Sequence, residues 1–240
     1  MARKGKLNNK QTESDIERPA NDRKYTYHIL IACEDQTTEP EYFKEYKDSF
    51  EAIWPKETLF LKPIGTGRNS LGVVQQAIEK RSKLETNDKT TIDQTWAVFD
   101  KDDLDKSEGN IERFNEAFDL GEEEEVKIAY SNECFELWLL LHFEKVDPKK
   151  AIPRAEIYSR LEKAIQKHQP EFVYEHGNSN VVKLVSKYGN KKAAIKRAEE
   201  LFNYHNQEKH QPIESNPNTL VYNLVRELDG WLDYYRYEKE

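Results

Sequence analysis

Trp96–Asp105, "WAVFDKDDLD", sets an apolar run directly against a group of carboxylates. The run reads as a buried strand. The chain then places Asp100, Asp102, Asp103 and Asp105 within six positions. Gathering like charges costs repulsion and desolvation unless something positive sits among them. The loop is therefore either fully solvated or the holder of a metal ion or a proton.

Reading outward, short apolar runs alternate with helical segments from Tyr25 onward. "YTYHILIAC", "ETLFLKPIG", "TWAVFD" and "EVKIAY" read as strands. "EPEYFKEYKDSFEAIW", "SLGVVQQAIEKRSKL", "GNIERFNEAFDL" and the strongly apolar "NECFELWLLLHFE" read as helices. Four strand–helix units in succession predict an α/β fold, a mostly parallel sheet covered on both faces. After about residue 148 the strands stop. "RAEIYSRLEKAIQKH", "NVVKLVSKY", "KKAAIKRAEELFNYHN" and "NTLVYNLVRELDGWLDYYRYE" read as helices. Gly189 and Asn190 separate the second from the third as C-cap and N-cap, and Asn216-Pro217 is expected to open the last. Residues 1–24 have almost no apolar content and read as a flexible basic arm. The expected organisation is thus 1–24 arm, 25–148 α/β domain and 149–240 helical C-terminal region.

Composition narrows the function classes. With 13 Tyr, 10 Phe and 4 Trp, the chain can bury a real core although 34% of it is charged. No apolar stretch is long enough to span a membrane, and the N-terminus lacks the apolar core of a signal peptide. Two cysteines, Cys33 and Cys134, make neither a disulfide framework nor a zinc set and read as small buried groups. A cytoplasmic protein is expected. The net charge of −8 is unevenly spread. Residues 101–125 hold 11 acids and 3 bases, whereas 181–198 hold 6 bases and no acid. This suits a cation site beside a surface that attracts phosphate, or two ordinary solvated faces.

In an open parallel sheet, ligands sit beyond the carboxyl ends of the strands. Glu34 falls just past the first strand, Asp100 at the end of the third, and Asp102 and Asp103 beyond it. Alternation points Asp100 and Asp102 to the same side. Carboxylates converging with an open face describe a Mg²⁺ site, and two such ions can clamp both oxygens of an in-line phosphoryl displacement. Glu136, inside "CFELWLLLHF", lies either on the wet side of its helix or toward this site, with Glu133 one turn earlier on the same face. His142 falls on the opposite side and reads as a packing residue. "GTGRNS", 65–70, resembles a phosphate-cradling loop without the P-loop Lys-Ser/Thr, and could contact phosphate through Arg68 or be an ordinary turn. Lys183, Lys187, Lys191, Lys192 and Lys196 face nucleic-acid phosphates, an acidic partner or solvent.

Four motifs resemble one family. "CEDQTTEPEYF" (33–43), "DKDD" (100–103), "SNECFELWLLLHF" (131–143) and "NPNTLVYNLVREL" (216–228) match patterns of the RloB-like (AbiLii-like) branch of the Toprim superfamily. The resemblance implies a Toprim-like sheet. It also implies Glu34, Asp100 and Asp102 as the catalytic set, with Asp103 joining them in binding Mg²⁺ or Mn²⁺, and Glu39, Glu136 and Asp35 in accessory roles. Asp35 stands where the family pattern has glycine. If that position needs positive φ, Asp fits it less well, and Asp35 could instead add a ligand. The implied activity is a metal-dependent nuclease cutting RNA, tRNA included, or DNA. It would act as the toxic effector of an anti-phage, abortive-infection system with an ABC-type ATPase partner encoded alongside. Two rivals are a catalytically degenerate protein that only binds the ATPase or nucleic acid, and a small-molecule phosphotransferase. Trp231, Tyr234, Tyr235 and Tyr237 cannot share one helix face, so some are expected to meet the ATPase or a second copy in a homodimer.

Overall fold

The computed structural model describes residues 27–53, 59–66, 69–101 and 108–239. The arm at 1–24, Arg68, Asp102 and Asp103 lie outside the described residues. Four parallel strands, β1 (Tyr27–Cys33), β2 (Leu59–Gly65), β3 (Gln94–Asp100) and β4 (Val126–Asn132), form a sheet. A short fifth strand, β5 (Asn218–Thr219), joins antiparallel to β4, giving the order β2-β1-β3-β4-β5. Eight α-helices accompany the strands among the described residues: α1 (Thr38–Ile53), α2 (Ser70–Asn87), α3 (Glu108–Glu123), α4 (Glu136–Leu141), α5 (Arg154–Gln166), α6 (Asn180–Tyr188), α7 (Lys191–Gln207) and α8 (Val221–Lys239). The α/β class, the mostly parallel sheet and the helical C-terminal region are as the sequence indicates, and the arrangement is consistent with a Toprim-like sheet.

Strand alternation divides the core. Ile29, Ile31, Cys33, Trp96 and Val98 face one side and pack with α1, α4 and the helices α5–α8. Ala32, Ala97, Phe99 and Tyr130 face the other and pack under α2 and α3. The C-terminal helices therefore share one continuous core with the sheet. By the same alternation Asp100 points to the side of Val98, toward the C-terminal helices. The chain reverses its direction of travel across the sheet between β1 and β3, so the switch point lies at the ends carrying Glu34 and Asp100. Pro63 is tolerated in β2 because that strand is an edge.

Three expectations change. The C-terminal region is not purely helical: Asn218 and Thr219 pair with Asn132 and Ser131, and Ser131 Oγ lies 2.9 Å from Thr219 Oγ1. This short strand covers the edge that β4 would otherwise expose. In consequence Asn216-Pro217 leads into β5, and the last helix begins only at Val221. The third change is in "NECFELWLLLHFE", which is helical over Glu136–Leu141 alone, all six residues buried. Its orphan C-terminal carbonyls find donors from α7 and its N-cap: Arg197 Nη1 reaches Leu141 O at 2.6 Å, and Asn190 N–H donates to His142 O at 2.9 Å.

The α6–α7 break is capped as expected, with Asn190 Oδ1 accepting from Ala193 N–H at 2.9 Å. Gly189 is extended (φ −81°) rather than left-handed. Its lack of a side chain matters for space: a Cβ there would sit 2.6 Å from Val185 O and 2.7 Å from His142 Cβ. Gly230, inside α8, has nothing within 4 Å of such a Cβ. Gly189→Ala is therefore expected to lower stability by about 1–3 kcal/mol through overpacking. Gly230→Ala should raise it by up to about 1 kcal/mol through helix propensity. Urea melts of the two variants check both signs; equal shifts would contradict this packing.

Candidate active site

Glu34 leaves β1 as its ladder ends. Its own N–H donates to Val98 O at 2.9 Å, and its Oε2 accepts the N–H of Asp100 at 2.9 Å. The two expected site residues are thus bonded across the switch point. Asp100 is partly buried, and its Oδ1 is wholly buried with no hydrogen-bond partner. Two more acids close in. Glu39, 1% exposed on the first turn of α1, accepts Asp35 N–H through Oε2 at 3.1 Å. Glu136, 3% exposed at the start of α4, accepts the Tyr174 hydroxyl.

These carboxylates act on one another. Burial first, then Glu39, Glu34 and Glu136, push the Asp100 carboxyl well above its usual range, against the opposing pull of Arg154. Burial and the neighbouring Glu34 raise Glu39 in the same way. Burial raises Glu34 to about 7, while the Asp100 N–H and the Arg154 guanidinium work to lower it. The site is therefore a buried pool of negative charge in need of protons or a cation.

Asp35 takes a different part. It has no positive φ, unlike Lys89, Glu125 and Lys209. Its carboxylate is the N-terminal cap of α1, accepting from Gln36 N–H (2.6 Å), Thr37 N–H (3.2 Å), the Thr37 hydroxyl and Thr38 N–H (2.8 Å). Burial works to raise its carboxyl, but these donors outweigh it and hold the group below its ordinary value. The turn is tight because β2 ends against it: a Cβ on Gly65 would lie 2.5 Å from Gln36 Cα and 2.6 Å from Asp35 O. Gly65 of "GTGRNS" thus serves close backbone approach.

Glu133 departs from the expectation of a shared face with Glu136. It precedes α4, and its Oε1 accepts from Asn216 Nδ2 at 2.9 Å, with Lys101 Nζ at 4.0 Å. His142 is buried and donates from Nδ1 to Trp138 O at 3.0 Å; burial pushes its pKa down to about 4. Cys33 and Cys134 are buried and free.

The basic segment divides. Lys183, Lys187, Lys192 and Lys196 are exposed. Lys191 is held between helices: its Nζ pairs with Asp229, donates to Tyr46 OH at 3.1 Å and lies 5.0 Å from the Tyr46 ring centroid. The C-terminal aromatics divide too. Tyr235 is buried edge-on to Phe50, Trp231 stacks on Tyr27 at 4.1 Å, and Tyr234 and Tyr237 are 49% and 78% exposed.

Residues the sequence did not single out complete the site. Arg154, at the start of α5, donates to Glu133 O at 3.0 Å and is the cation that opposes the raised Glu34 and Asp100. Tyr158, Tyr174 and His176 stand beside Glu136, with His176 Nδ1 at 3.9 Å from its Oε1. In the sequence the segment reads only as a helix; the spacing in "RAEIY", which sets Arg154 and Tyr158 one turn apart, is the one local signal for a pair.

Among the described residues, no group of three or more His, Cys, Asp or Glu side chains is placed to hold a metal ion. The donor chemistry nevertheless fits a hard divalent cation: carboxylate oxygens only, one of them buried without a partner at Asp100. The chain belongs to the RloB-like protein family, whose model matches residues 29–228. No curated protein and no solved structure matches it. No helix of the described residues is long and apolar enough to cross a membrane.

The raised Glu34 predicts a signed pH dependence. A carboxyl at about 4.5 unfolded and about 7 folded contributes stability that is complete below 4.5 and lost as pH rises through 7. Glu34→Gln keeps an acceptor for Asp100 N–H and removes the charge. In metal-free buffer the variant should exceed wild type at pH 8 by on the order of 3 kcal/mol, with the difference vanishing toward pH 4.5. Urea melts across that range measure it; parallel profiles would show that Glu34 titrates as in water.

Proposed function

We propose that this RloB-like protein is a Mg²⁺- or Mn²⁺-dependent nuclease of Toprim type, the toxic effector of an anti-phage, abortive-infection system in the cytoplasm, restrained by an ABC-type ATPase. The observation that carries the reading is the convergence of Glu34, Asp100, Glu39 and Glu136 at the sheet's switch point. Four acids are gathered there at a cost that a purely structural site would avoid. Glu34 and Asp100 would hold the ion; Asp102 and Asp103, expected as further ligands from the sequence, lie outside the described residues. Bound there, the ion would polarise the phosphoryl oxygens and lower the pKa of a water. Glu39 locks the Glu34–Asp35 turn through the Asp35 N–H. Tyr174 fixes Glu136. Arg154 supplies a guanidinium that limits the negative charge and suits a phosphate oxygen. The substrate is a phosphodiester of RNA, tRNA included, or DNA.

The rival reading, a degenerate binding protein, draws on one observation: Glu34 already commits an oxygen to the Asp100 N–H. One comparison separates them. Mn²⁺ should raise the melting temperature of wild type by mass action, and Asp100→Asn and Glu34→Gln should abolish that shift. Cleavage of mixed RNA and DNA, assayed with the neighbouring ATPase and ATP, should fall at least about 100-fold in both variants, the scale of losing one charge-stabilising group. Identical melting and cleavage in all three forms would assign the cluster to structure.

The exposed lysines make a separate prediction. Lys183→Gln, Lys187→Gln, Lys192→Gln and Lys196→Gln should weaken nucleic-acid binding and reduce the salt slope by about 0.7–0.9 for each phosphate no longer neutralised. Lys191→Gln should instead lower thermal stability, since it removes the ammonium that bridges Asp229 and Tyr46 between helices and leaves only the Tyr46 hydroxyl bond to Asp229 Oδ1 at 3.2 Å. Unchanged affinity and slope in the four would make them a solvated face.

A further inference from the structure

Tyr174, Tyr158 and His176 form a ladder of rings at the rim of the carboxylate site. Tyr158 and Tyr174 have centroids 4.8 Å apart, and His176 stacks on Tyr158 at 6.1 Å with an interplanar angle of 29°. The inner end is fixed, because the Tyr174 hydroxyl bonds Glu136. The outer end is open: the His176 side chain is 65% exposed. The imidazole is nevertheless aligned, with Nδ1 3.4 Å from Tyr158 OH and 3.9 Å from Glu136 Oε1. Gly177, at φ +80°, turns the chain back so that a Cβ there would lie 3.6 Å from Thr37 Oγ1. The loop carrying Tyr174 and His176 therefore runs against the turn that follows Glu34.

An ordered ring left bare beside a catalytic rim is a surface that another ring would complete. Val173, 62% exposed on the same loop, adds apolar area. The loop's other exposed side chains include Glu171 and Glu175, which repel phosphate. The loop's charges thus disfavour a phosphate beside its exposed rings, while Arg154 supplies the cation deeper in the site.

We infer that the Tyr174–Tyr158–His176 ladder is a stacking platform for an unpaired nucleobase, so that the substrate enters as a single-stranded or splayed-out segment of nucleic acid. Base–aromatic stacking of this kind contributes enough to change affinity about 5- to 100-fold per base. A paired base inside a duplex offers no free face, so duplex gains nothing from the platform. The inference rests on the nuclease reading for its substrate class and reaches beyond it in assigning a base-binding element outside the acids.

The test is fluorescence anisotropy in EDTA with three labelled probes of equal length: a mixed-sequence single strand, the same strand with abasic positions, and the blunt duplex. Wild type should bind the intact strand most tightly. His176→Ala and Tyr158→Leu should weaken intact-strand binding about 5- to 100-fold and leave the abasic strand and the duplex where they were. His176→Phe should restore binding, which a merely structural or charged role of the imidazole would not allow. His176 is exposed, so His176→Ala is expected to melt as wild type does, and it decides the matter if Tyr158→Leu fails to fold. Equal affinities for intact and abasic strands, failure to bind any strand, or indifference to His176→Ala would overturn the inference. Binding without metal separates it from catalysis. Stacking without cleavage in Mn²⁺ retains the platform and sinks the nuclease; cleavage with no effect of His176→Ala does the reverse.

Discussion

The hydrogen bond from Asp100 N–H to Glu34 Oε2 closes the seam between β1 and β3, and much of the surrounding architecture answers to it. At a switch point the two strands' helices depart to opposite faces, and the last backbone donor of β3 has no neighbour to meet. A side-chain oxygen must supply the partner, and an acid does so here at the cost of a buried charge. Glu34 can reach only because the chain turns sharply after Cys33. That turn exists because Asp35 caps α1, Glu39 holds the Asp35 N–H, and Gly65 lets β2 end against it. The need to satisfy one backbone donor thus fixes the first helix, the end of the second strand and the position of three acids.

The helical C-terminal region is part of the same solution. Arg154, the cation that most directly opposes Glu34 and Asp100, comes from α5, and the hydroxyl that satisfies Glu136 comes from Tyr174 beyond it. β5 covers the edge of β4 next to Asn132, and α7 donates to the carbonyls ending α4. Removing that region would leave the acids without their counter-charge, the sheet with an open edge and a short helix without its cap. The two halves read as separate units in the sequence because strand periodicity stops near residue 148. Packing does not stop there.

What could be read from the chain followed from period and position. The alternation of Trp96–Asp100 and the place of Glu34 after an apolar run put both acids at strand ends. What could not be read had no local signature. Capping by Asp35 depends on φ, which one residue type does not reveal. β5 is too short to show a period. Glu133 and Glu136 look one turn apart, but the helix begins only at Glu136, so the phase argument had no helix to act on. Lys191 belongs by spacing to a basic stripe and by packing to Asp229 and Tyr46. Arg154, Tyr158, Tyr174 and His176 reach the site from 50 or more positions after Asp100, and only tertiary packing brings them there.

The same cluster sets the terms on which the protein can work. Its negative charge can be relieved by protons or by a cation, and burial makes the two compete. With Glu34 raised to about 7, protons already occupy a sizeable share of the site near neutrality. An ion that binds there must displace them, so its apparent affinity rises with pH until the acids are fully ionised. Arg154 moderates the competition by lowering both Glu34 and Asp100. Both acids nevertheless stay raised, because burial outweighs it at Glu34 and burial with the neighbouring carboxylates outweighs it at Asp100. An apolar residue at 154 would spare the cost of burying a guanidinium, yet it would raise both acids further and favour their protonated forms. A core selected for stability alone would have replaced the acids instead. Gathered at one buried place, the four acids cost stability unless protons or a cation accompany them, and that requirement is the constraint the site imposes on the fold.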